Sequence, residues 1–387
     1  MVIGINAYEA VVPRFGFDKK TGLPNRVGSG EFCFQLLLEL SKIDRNNEYF
    51  VYLPTKPTFD MPEETEKWHY VVFSSKKLWT LFGLSKKLFN DRNKIDVFFS
   101  PTHYLPFYIP CPSVISILDV SYLHFPKLFK KKDLYQLKLW GRYSIHKAKK
   151  IITISKSSKN DIIKEYGVDS KKVAVVYPGI KKGLTMNDKR LTVNDLKKKF
   201  GIEKDYILFV GTLQPRKNIE RLIEAFSRLK TKDLGLKTDL ELVIVGKKGW
   251  MYEEILEAPR KYGIEDKVLF LENVTDEELP VFYKNALCFV LPSLYEGFGL
   301  PILEAMKYGC PVVTSNVSSL PEAGGDAAVY FDPQNVQDIA EKINKVISDE
   351  KLRDEMIKKG YEQIKKFSWE KAAKETLKVL EELGGKS

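Results

Sequence analysis

Short apolar runs alternate with helix-length amphipathic segments along almost the whole chain. In the first half the runs are VIGINA, EYFVYLP, YVVFS, DVFFSP, SVISIL, KIITIS and VAVVYP. In the second half they are YILFVG, LELVIVG, KVLFL, LCFVLPS, PVVTS and AAVYF. A short apolar run bounded by Pro, Gly or Ser reads as a buried strand. Between the runs lie segments such as NIERLIEAFSRLK, where Ile219, Leu222, Ile223, Phe226 and Leu229 recur at three- and four-residue spacing, the signature of one apolar helix face. Strand and helix in strict alternation predict α/β architecture, with parallel sheets covered by helices on both faces.

The alternation breaks near 180–200, in YPGIKKGLTMNDKRLTVNDLKKKFG, which is polar and holds a Pro-Gly turn. Two doubly wound domains are therefore predicted, 1–185 and 186–371. The last segment, WEKAAKETLKVLEEL, reads as a helix capped by Ser368. No strand follows it, so residues 372–387 are expected to cross back onto the first domain.

Composition narrows this picture. A chain of 387 residues with 44% apolar content can fill two cores. Its four cysteines, Cys33, Cys111, Cys288 and Cys310, are scattered and form no CxxC pair. That excludes a zinc ribbon or disulfide framework and fits a reducing, cytoplasmic setting. The opening MVIGINAYEA reads as a first strand, not a signal peptide, and no run reaches the roughly 18 apolar residues a bilayer span needs.

The formal charge is +11, which points to nucleic acid, anionic lipid or phosphorylated small molecules as partners. The basic residues are unevenly spread. Lys127, Lys130, Lys131, Lys132, Lys138, Arg142, Lys147, Lys149 and Lys150 face a single acid, Asp133. Leu128, Phe129, Leu134, Leu137, Leu139 and Trp140 lie in the same stretch. A helix over about 131–148 is expected to present mixed basic and apolar surface to an anionic membrane. Nucleic acid is not expected, because no recognised binding module accompanies the basic residues.

Two stretches carry candidate chemistry. In EGFGLPILE, Glu296 precedes a Gly-Phe-Gly bend and Glu304 follows it, on a turn from the strand LCFVLPS into a helix with Pro301 near its start and Gly309 just past its end. In VGTLQPRKN a strand ends at Gly211, Arg216 and Lys217 follow the turn, and Asn218 is placed to cap the next helix. Both motifs fall at the carboxyl end of a strand, where open α/β sheets bind ligands. Two cations at a helix start form a seat for a diphosphate. Carboxylates accept hydrogen bonds from sugar and ribose hydroxyls, so the combination suits a sugar nucleotide. A first-turn Glu is also favoured by the helix macrodipole alone, so Glu304 means less by itself than Glu296. No Asp-x-Asp and no cluster at metal-ligand spacing is present, so no metal and no cofactor is expected.

With VGTLQPRKN, LVIVGKKGW, LENVTDEELPVFYKNA, LPSLYEGFGLPILEAMKYGCPVV and AAVYFDP in that order, the chain from about 206 to 371 resembles the C-terminal half of retaining glycosyltransferases of family 4. The first half resembles that family more loosely, through SPTHYLP, ISILDVSYLHFP, IITISKSSKNDI and VVYPGI. The resemblance implies the GT-B fold, two Rossmann-like domains facing a cleft, the first taking the acceptor and the second the nucleotide sugar. Within the family the chain is similar to bacterial or archaeal mannosyltransferases that build polysaccharides or glycolipids.

The resemblance also implies roles. Glu296 would contact the donor sugar near its reacting carbon and Glu304 the ribose. Backbone of Gly297, Phe298, Gly299 and Leu300 would hold sugar hydroxyls and phosphate, with Arg216, Lys217 and Gly211 around the diphosphate. Asn273, Val274 and Leu279 would line the base pocket, and Gly28 and Gly30 would approach donor phosphate or acceptor. Many relatives carry His-Asp at the end of the strand ISIL; here Leu118 stands in the histidine position and Asp119 remains. His124, five residues on, is the candidate to replace it, ahead of His103; His69 and His146 read as structural. The implied activity is metal-independent transfer of a hexose, with GDP-mannose the favoured donor, to a glycan or lipid-linked acceptor at the inner face of a membrane. The competing readings are a nucleotide-sugar 2-epimerase and a basic nucleic-acid-binding protein.

Overall fold

The computed structural model describes residues 1–13, 16–19, 21–75, 78–91, 95–180, 192–229 and 240–385. The chain divides into two compact units, Met1–Gly179 with Phe367–Ser387, and Ile180–Lys366.

The first unit holds β1 (Val2–Asn6), β2 (Glu48–Leu53), β3 (Trp68–Val72), β4 (Val97–Ser100), β5 (Ser113–Ser116), β6 (Lys150–Thr153) and β7 (Val173–Val175). They form one parallel sheet in the order β3-β2-β1-β4-β5-β6-β7. The second unit holds β8 (Asp205–Val210), β9 (Leu240–Val245), β10 (Val268–Leu271), β11 (Cys288–Leu291), β12 (Val312–Ser315) and β13 (Ala328–Phe331). Their order is β10-β9-β8-β11-β12-β13, again parallel. Each of the thirteen apolar runs becomes one strand. The reason is visible in burial: β4, β9, β11 and β12 are covered on both faces, so every position along them can be apolar.

In each Rossmann-like unit the strand order reverses once, between β1 and β4 and between β8 and β11. The loops leaving those strand pairs diverge and leave a crevice at their carboxyl ends.

The helix Ile219–Ser227 buries Ile219, Leu222, Ile223 and Phe226, the face its spacing predicts; Lys230, the last residue of that predicted helix, lies outside the described residues. Of the polar stretch near 180–200, residues 181–191 also lie outside them, while Val193–Phe200 is helical. The final helix, Trp369–Gly384, starts at Ser368, whose hydroxyl accepts the Lys371 N–H at 3.1 Å. It packs on the helix Ser29–Ile43 of the first unit, with Trp369 edge-on to Phe32 at 5.9 Å. Gly179 marks where the chain passes this helix: a Cβ there would lie 2.1 Å from the Trp369 backbone nitrogen, so no larger residue fits without displacing the chain.

Candidate functional site

In the second unit, the loops after β8 and β11 flank the reversal point and carry the two motifs. After β8, Gly211 lets the chain turn tightly. Its carbonyl oxygen would lie 1.9 Å from a Cβ at Gly246, so a glycine after β9 is required for the two loops to approach. A single turn, Pro215–Lys217, follows, and Asn218 then adopts the left-handed conformation at φ 59°. Asn218 occupies the cap position of the next helix, but its side chain makes no cap hydrogen bond. The left-handed backbone turns the side chain elsewhere. Its amide donates to the Pro292 carbonyl at 3.0 Å and the Pro333 carbonyl at 2.8 Å, pinning the cationic loop to the exits of β11 and β13.

After β11, Glu296 lies 8% exposed. Its carboxylate accepts from Lys217 Nζ at 2.5 Å, from Ser293 Oγ at 2.6 Å and from Arg216 at 3.2 Å. Arg216 also donates to the Tyr295 carbonyl. The Glu296 backbone is braced from the loop after β12: its N–H donates to Ser318 Oγ at 3.0 Å, and Ser319 Oγ donates to its carbonyl at 2.8 Å. Ser318 itself is left-handed at φ 51°, a conformation uncommon for serine that fixes its hydroxyl against Glu296. Burial raises the Glu296 pKa, and the Lys217 and Arg216 charges with the Lys217 and Ser293 hydrogen bonds more than reverse this, leaving it at about 2. Glu296 is therefore an anion at neutral pH. It can accept hydrogen bonds and stabilise positive charge, but it has no proton to give. With two cations and one anion, the cluster keeps a net positive charge.

Gly297 and Phe298 lead to Gly299, whose φ of 107° turns the chain into the helix Leu300–Lys307. A side chain at Gly299 would be strained there and would meet Leu320 at 2.9 Å. Glu304 lies one turn into this helix, half-buried, and accepts from the buried Tyr283 hydroxyl at 3.2 Å. Burial, and after it that acidic neighbour, push the Tyr283 pKa up. Asn273 is exposed and Val274 half-buried on the loop after β10, with Leu279 opening the helix Leu279–Asn285. Beside them Glu272 pairs with Lys248 at 2.7 Å, tying the loops after β10 and β9. The buried Glu278 carboxylate accepts the Thr275 N–H at 2.9 Å.

In the first unit, Gly28 caps the helix Ser29–Ile43 with φ 54°. Gly30 passes so near the first strand's exit that a Cβ would lie 2.9 Å from the Glu9 carbonyl oxygen. Arg26 braces this loop with bonds to the Ala10 carbonyl at 2.7 Å and to Asp60 at 2.5 Å. At the reversal point Asn6 donates to Ser100 Oγ at 3.0 Å. Asp119 follows β5 and accepts the Ser121 N–H at 2.9 Å. Leu118 is buried in the core. His124 ends a short helix, Ser121–His124, and faces Asp161 at 3.6 Å; His103 is half-buried beside Tyr104.

The basic stretch is helical from Lys131 to Lys147, with a wide π turn at Leu137–Gly141. Leu137, Ser144 and Ile145 face inward. Of the six apolar residues that motivated a membrane contact, Leu139 alone is exposed, at 51%, joined by Tyr135 at 68%. Both lie among exposed Lys131, Lys132, Lys138 and Arg142. The other four half-buried positions and Leu137 serve packing, because a helix lying on a domain must spend one face on its core.

Several residues of the site carry no motif of their own. Ser318 and Ser319 matter only because β12 lies next to β11, and Tyr283 only because its helix backs Glu304, whereas Ser293 reaches Glu296 from within the same loop. The pair of serines in NVSSLPE, just past a strand, was the available signal. Among the described residues, no group of three or more His, Cys, Asp or Glu side chains is arranged to hold a metal ion. No described helix is long and apolar enough to cross a membrane.

Comparison with known proteins places this geometry. Residues 193–363 match the family described as Glycosyl transferases group 1, and residues 28–182 match Glycosyltransferase Family 4. The chain is 32% identical over 281 residues to O-antigen chain mannosyltransferase B of Escherichia coli, covering 73% of each chain. Two solved structures share the fold over nearly the full length: sucrose-phosphate synthase from Thermosynechococcus elongatus, at 17% identity, TM-score 0.72 and full coverage of both chains, and HepE of Anabaena in complex with UDP and glucose, at 19% identity, TM-score 0.69, covering 99% of this chain and 100% of that one. Two parallel-sheet Rossmann-like units of the GT-B type, and a relative this similar over this much of both chains, establish that the protein is a glycosyltransferase belonging to the group 1 and family 4 glycosyltransferases.

Proposed function

We propose that the protein transfers a hexose, mannose before others, from a nucleotide diphosphate sugar to a glycan or lipid-linked acceptor, with retention of configuration and without a metal. The observation that carries the reading is the cluster of buried Lys217 and Glu296 with half-buried Arg216 at the reversal point of the second sheet. Fixed cations aimed at one place stabilise a departing diphosphate electrostatically, the task a divalent ion would otherwise perform. A carboxylate held ionised beside them suits a sugar whose reacting carbon becomes positive. The acceptor hydroxyl attacks the face from which the diphosphate leaves, the glycosidic C–O bond to phosphate breaks, and the departing phosphate oxygen takes the acceptor's proton. No side chain is then needed as base.

Support for mannose comes from the relative named a mannosyltransferase, and support for a nucleotide donor from HepE, solved with UDP. GDP-mannose is the proposed donor. Glu304 is proposed to take the ribose, backbone at 297–300 the sugar and phosphate, and 273–279 the base. On the first unit, Gly28 and Gly30 are proposed to approach donor phosphate or acceptor, Asp119 and His124 to act catalytically beside the donor sugar, and the helical stretch 131–147 to touch an anionic membrane surface from the cytoplasmic side.

The test is incubation with GDP-mannose, UDP-glucose, UDP-N-acetylglucosamine or ADP-glucose, with and without mannose oligosaccharides and a lipid-linked acceptor, in EDTA. The expected product carries a new α-linked mannose by NMR. Transfer from UDP-glucose alone, inversion at the anomeric carbon, or activity that returns only with added magnesium or manganese would reject the corresponding part. Isomerisation of donor without acceptor would indicate an epimerase.

A further inference from the structure

At the amino ends of β6 and β7 the first unit carries an open cavity of about 430 Å³. His146, Lys147, Lys149 and Lys150 line one side, and Asp169, Lys171 and Lys172 the other. A parallel sheet puts this edge opposite the one that bears Ser100 and Asp119. The four residues of β6 alone separate the two edges by about 13 Å at the usual rise per residue.

Part of this basic cluster has a local explanation. His146 and Lys147 stand in the last turn of a helix, where the macrodipole favours cations. Lys147 donates to the Phe107 carbonyl at 2.6 Å, and Lys172 to the His146 carbonyl at 2.9 Å. Lys150 donates to the Lys171 carbonyl at 3.2 Å and pairs with Glu382 at 3.6 Å. The one acid, Asp169, accepts the Lys171 backbone N–H at 2.8 Å. Two ammonium groups are left over. Those of Lys149 and Lys171 have no acceptor among the described residues. Burial, and after it the charge of Lys149, hold the Lys172 pKa below the usual lysine value.

We propose that this cavity binds a phosphate group, held by the Lys149 and Lys171 ammonium groups with Lys172 behind them. Ammonium groups are compact point charges that suit a tetrahedral, multiply charged oxyanion. A planar carboxylate would be matched by an arginine fork, and no arginine lines the cavity. The site is distinct from the diphosphate clamp at Arg216 and Lys217, so it stands whether or not the proposed donor is correct. Its phosphate comes either from solution or from a lipid headgroup.

The experiment treats the full chain with a limiting dose of an amine-acetylating reagent and reads Lys149 and Lys171 by mass spectrometry, with exposed Lys351 as reference. Sodium phosphate is titrated against sodium chloride of equal ionic strength. Phosphatidylglycerol vesicles are compared with phosphatidylcholine vesicles. At a phosphate concentration about ten times the Kd, acetylation of both lysines should fall about tenfold, with Lys351 unchanged. Protection by phosphate assigns a free ligand. Protection by anionic vesicles that persists in Lys130→Glu/Lys131→Glu/Lys132→Glu assigns a headgroup. Protection by chloride alone, or equal labelling both in the phosphate arm and in the triple variant's vesicle arm, overturns the proposal.

Discussion

Replacing Glu296 by Gln keeps the shape of the side chain and one hydrogen-bond acceptor for Ser293, but removes the charge that Lys217 and Arg216 share. Two lines of reasoning give the cost. The carboxyl pKa lies at about 2 against an ordinary 4.5, and each pKa unit corresponds to about 1.36 kcal/mol, so the ionised form contributes on the order of 3 kcal/mol at neutral pH. Removing one partner of a buried ion pair costs about 3–5 kcal/mol by an independent route. For a unit of this size, 1 kcal/mol moves the melting temperature by about 2–4 °C, so Glu296→Gln should lower the second unit's transition by roughly 6–12 °C at pH 7. The sign with pH follows. A depressed carboxyl pKa stabilises above the unfolded value, and that contribution is lost as pH falls from about 4.5 toward 2. Wild type and variant should therefore converge in stability across that window.

The same geometry predicts an asymmetry in ligand binding. In the free wild type, an entering diphosphate must compete with Glu296 for Lys217 and Arg216. In the variant no carboxylate competes for either cation, and Arg216 keeps its bond to the Tyr295 carbonyl. GDP should bind Glu296→Gln at least as tightly as wild type and recover most of the lost melting temperature, while turnover falls steeply. Calorimetric unfolding with and without GDP, together with turnover at saturating donor, measures all three. A destabilisation under about 1 kcal/mol, or GDP binding weakened tenfold in the variant, would refute the assignment of Glu296 as the neutraliser of the clamp.

Lys217→Ala should weaken nucleoside diphosphate binding by about 1.5–3 kcal/mol, the range for hydrogen bonds to charged groups, as read by calorimetric titration. Glu304→Ala should raise the donor Kd while leaving turnover at saturation near wild type; a large loss of turnover instead would contradict a ribose-binding role. Gly299→Ala forces a Cβ onto a left-handed turn 2.9 Å from Leu320 and should cost about 1–3 kcal/mol in thermal unfolding. For the basic helix, Lys130→Glu/Lys131→Glu/Lys132→Glu should abolish sedimentation with phosphatidylglycerol vesicles at low salt, since each lysine near such a surface contributes about 1 kcal/mol; unchanged sedimentation would leave the helix a solvated face.

Inner strands such as β4, β9 and β11 were legible because burial on both sheet faces favours apolar residues at every position, so each reads as a nearly continuous apolar word. The helix Ile219–Ser227 was legible for the complementary reason, one buried face at its own period. What linear reading could not supply was adjacency. That Glu296 is held by serines from the loop after β12 depends on β12 lying beside β11, which no local pattern encodes. Asn218 shows a subtler failure. A residue type that caps helices stands at a cap position, yet its backbone is left-handed and its amide joins Pro292 and Pro333 instead. Cap chemistry is a preference about a residue and its own helix, and here two carbonyls from distant strands outcompete it.

The paired cations and the carboxylate also explain why the chain tolerates so costly a cluster. A buried ion pair rarely improves stability over apolar packing, so Lys217 and Glu296, each about 8% exposed, are poorly justified as structure alone. A ligand that brings two negative charges changes the balance. Until it arrives, Glu296 keeps Lys217 from being a lone buried charge, and the serines and Asn218 hold all three side chains in the geometry the ligand needs. On the proposed reading, an arriving nucleotide diphosphate sugar would take over the cations and leave the carboxylate charged beside its sugar. Its low pKa then has a functional consequence. Burial alone raises this carboxyl above its ordinary 4.5, and the cations with Ser293 bring it down to about 2, so a partial loss of its cationic surroundings leaves a margin of several pH units before it would be neutral at pH 7. The ion pair is thus able to exchange partners without either side becoming neutral, which an uncharged clamp of the same shape could not do.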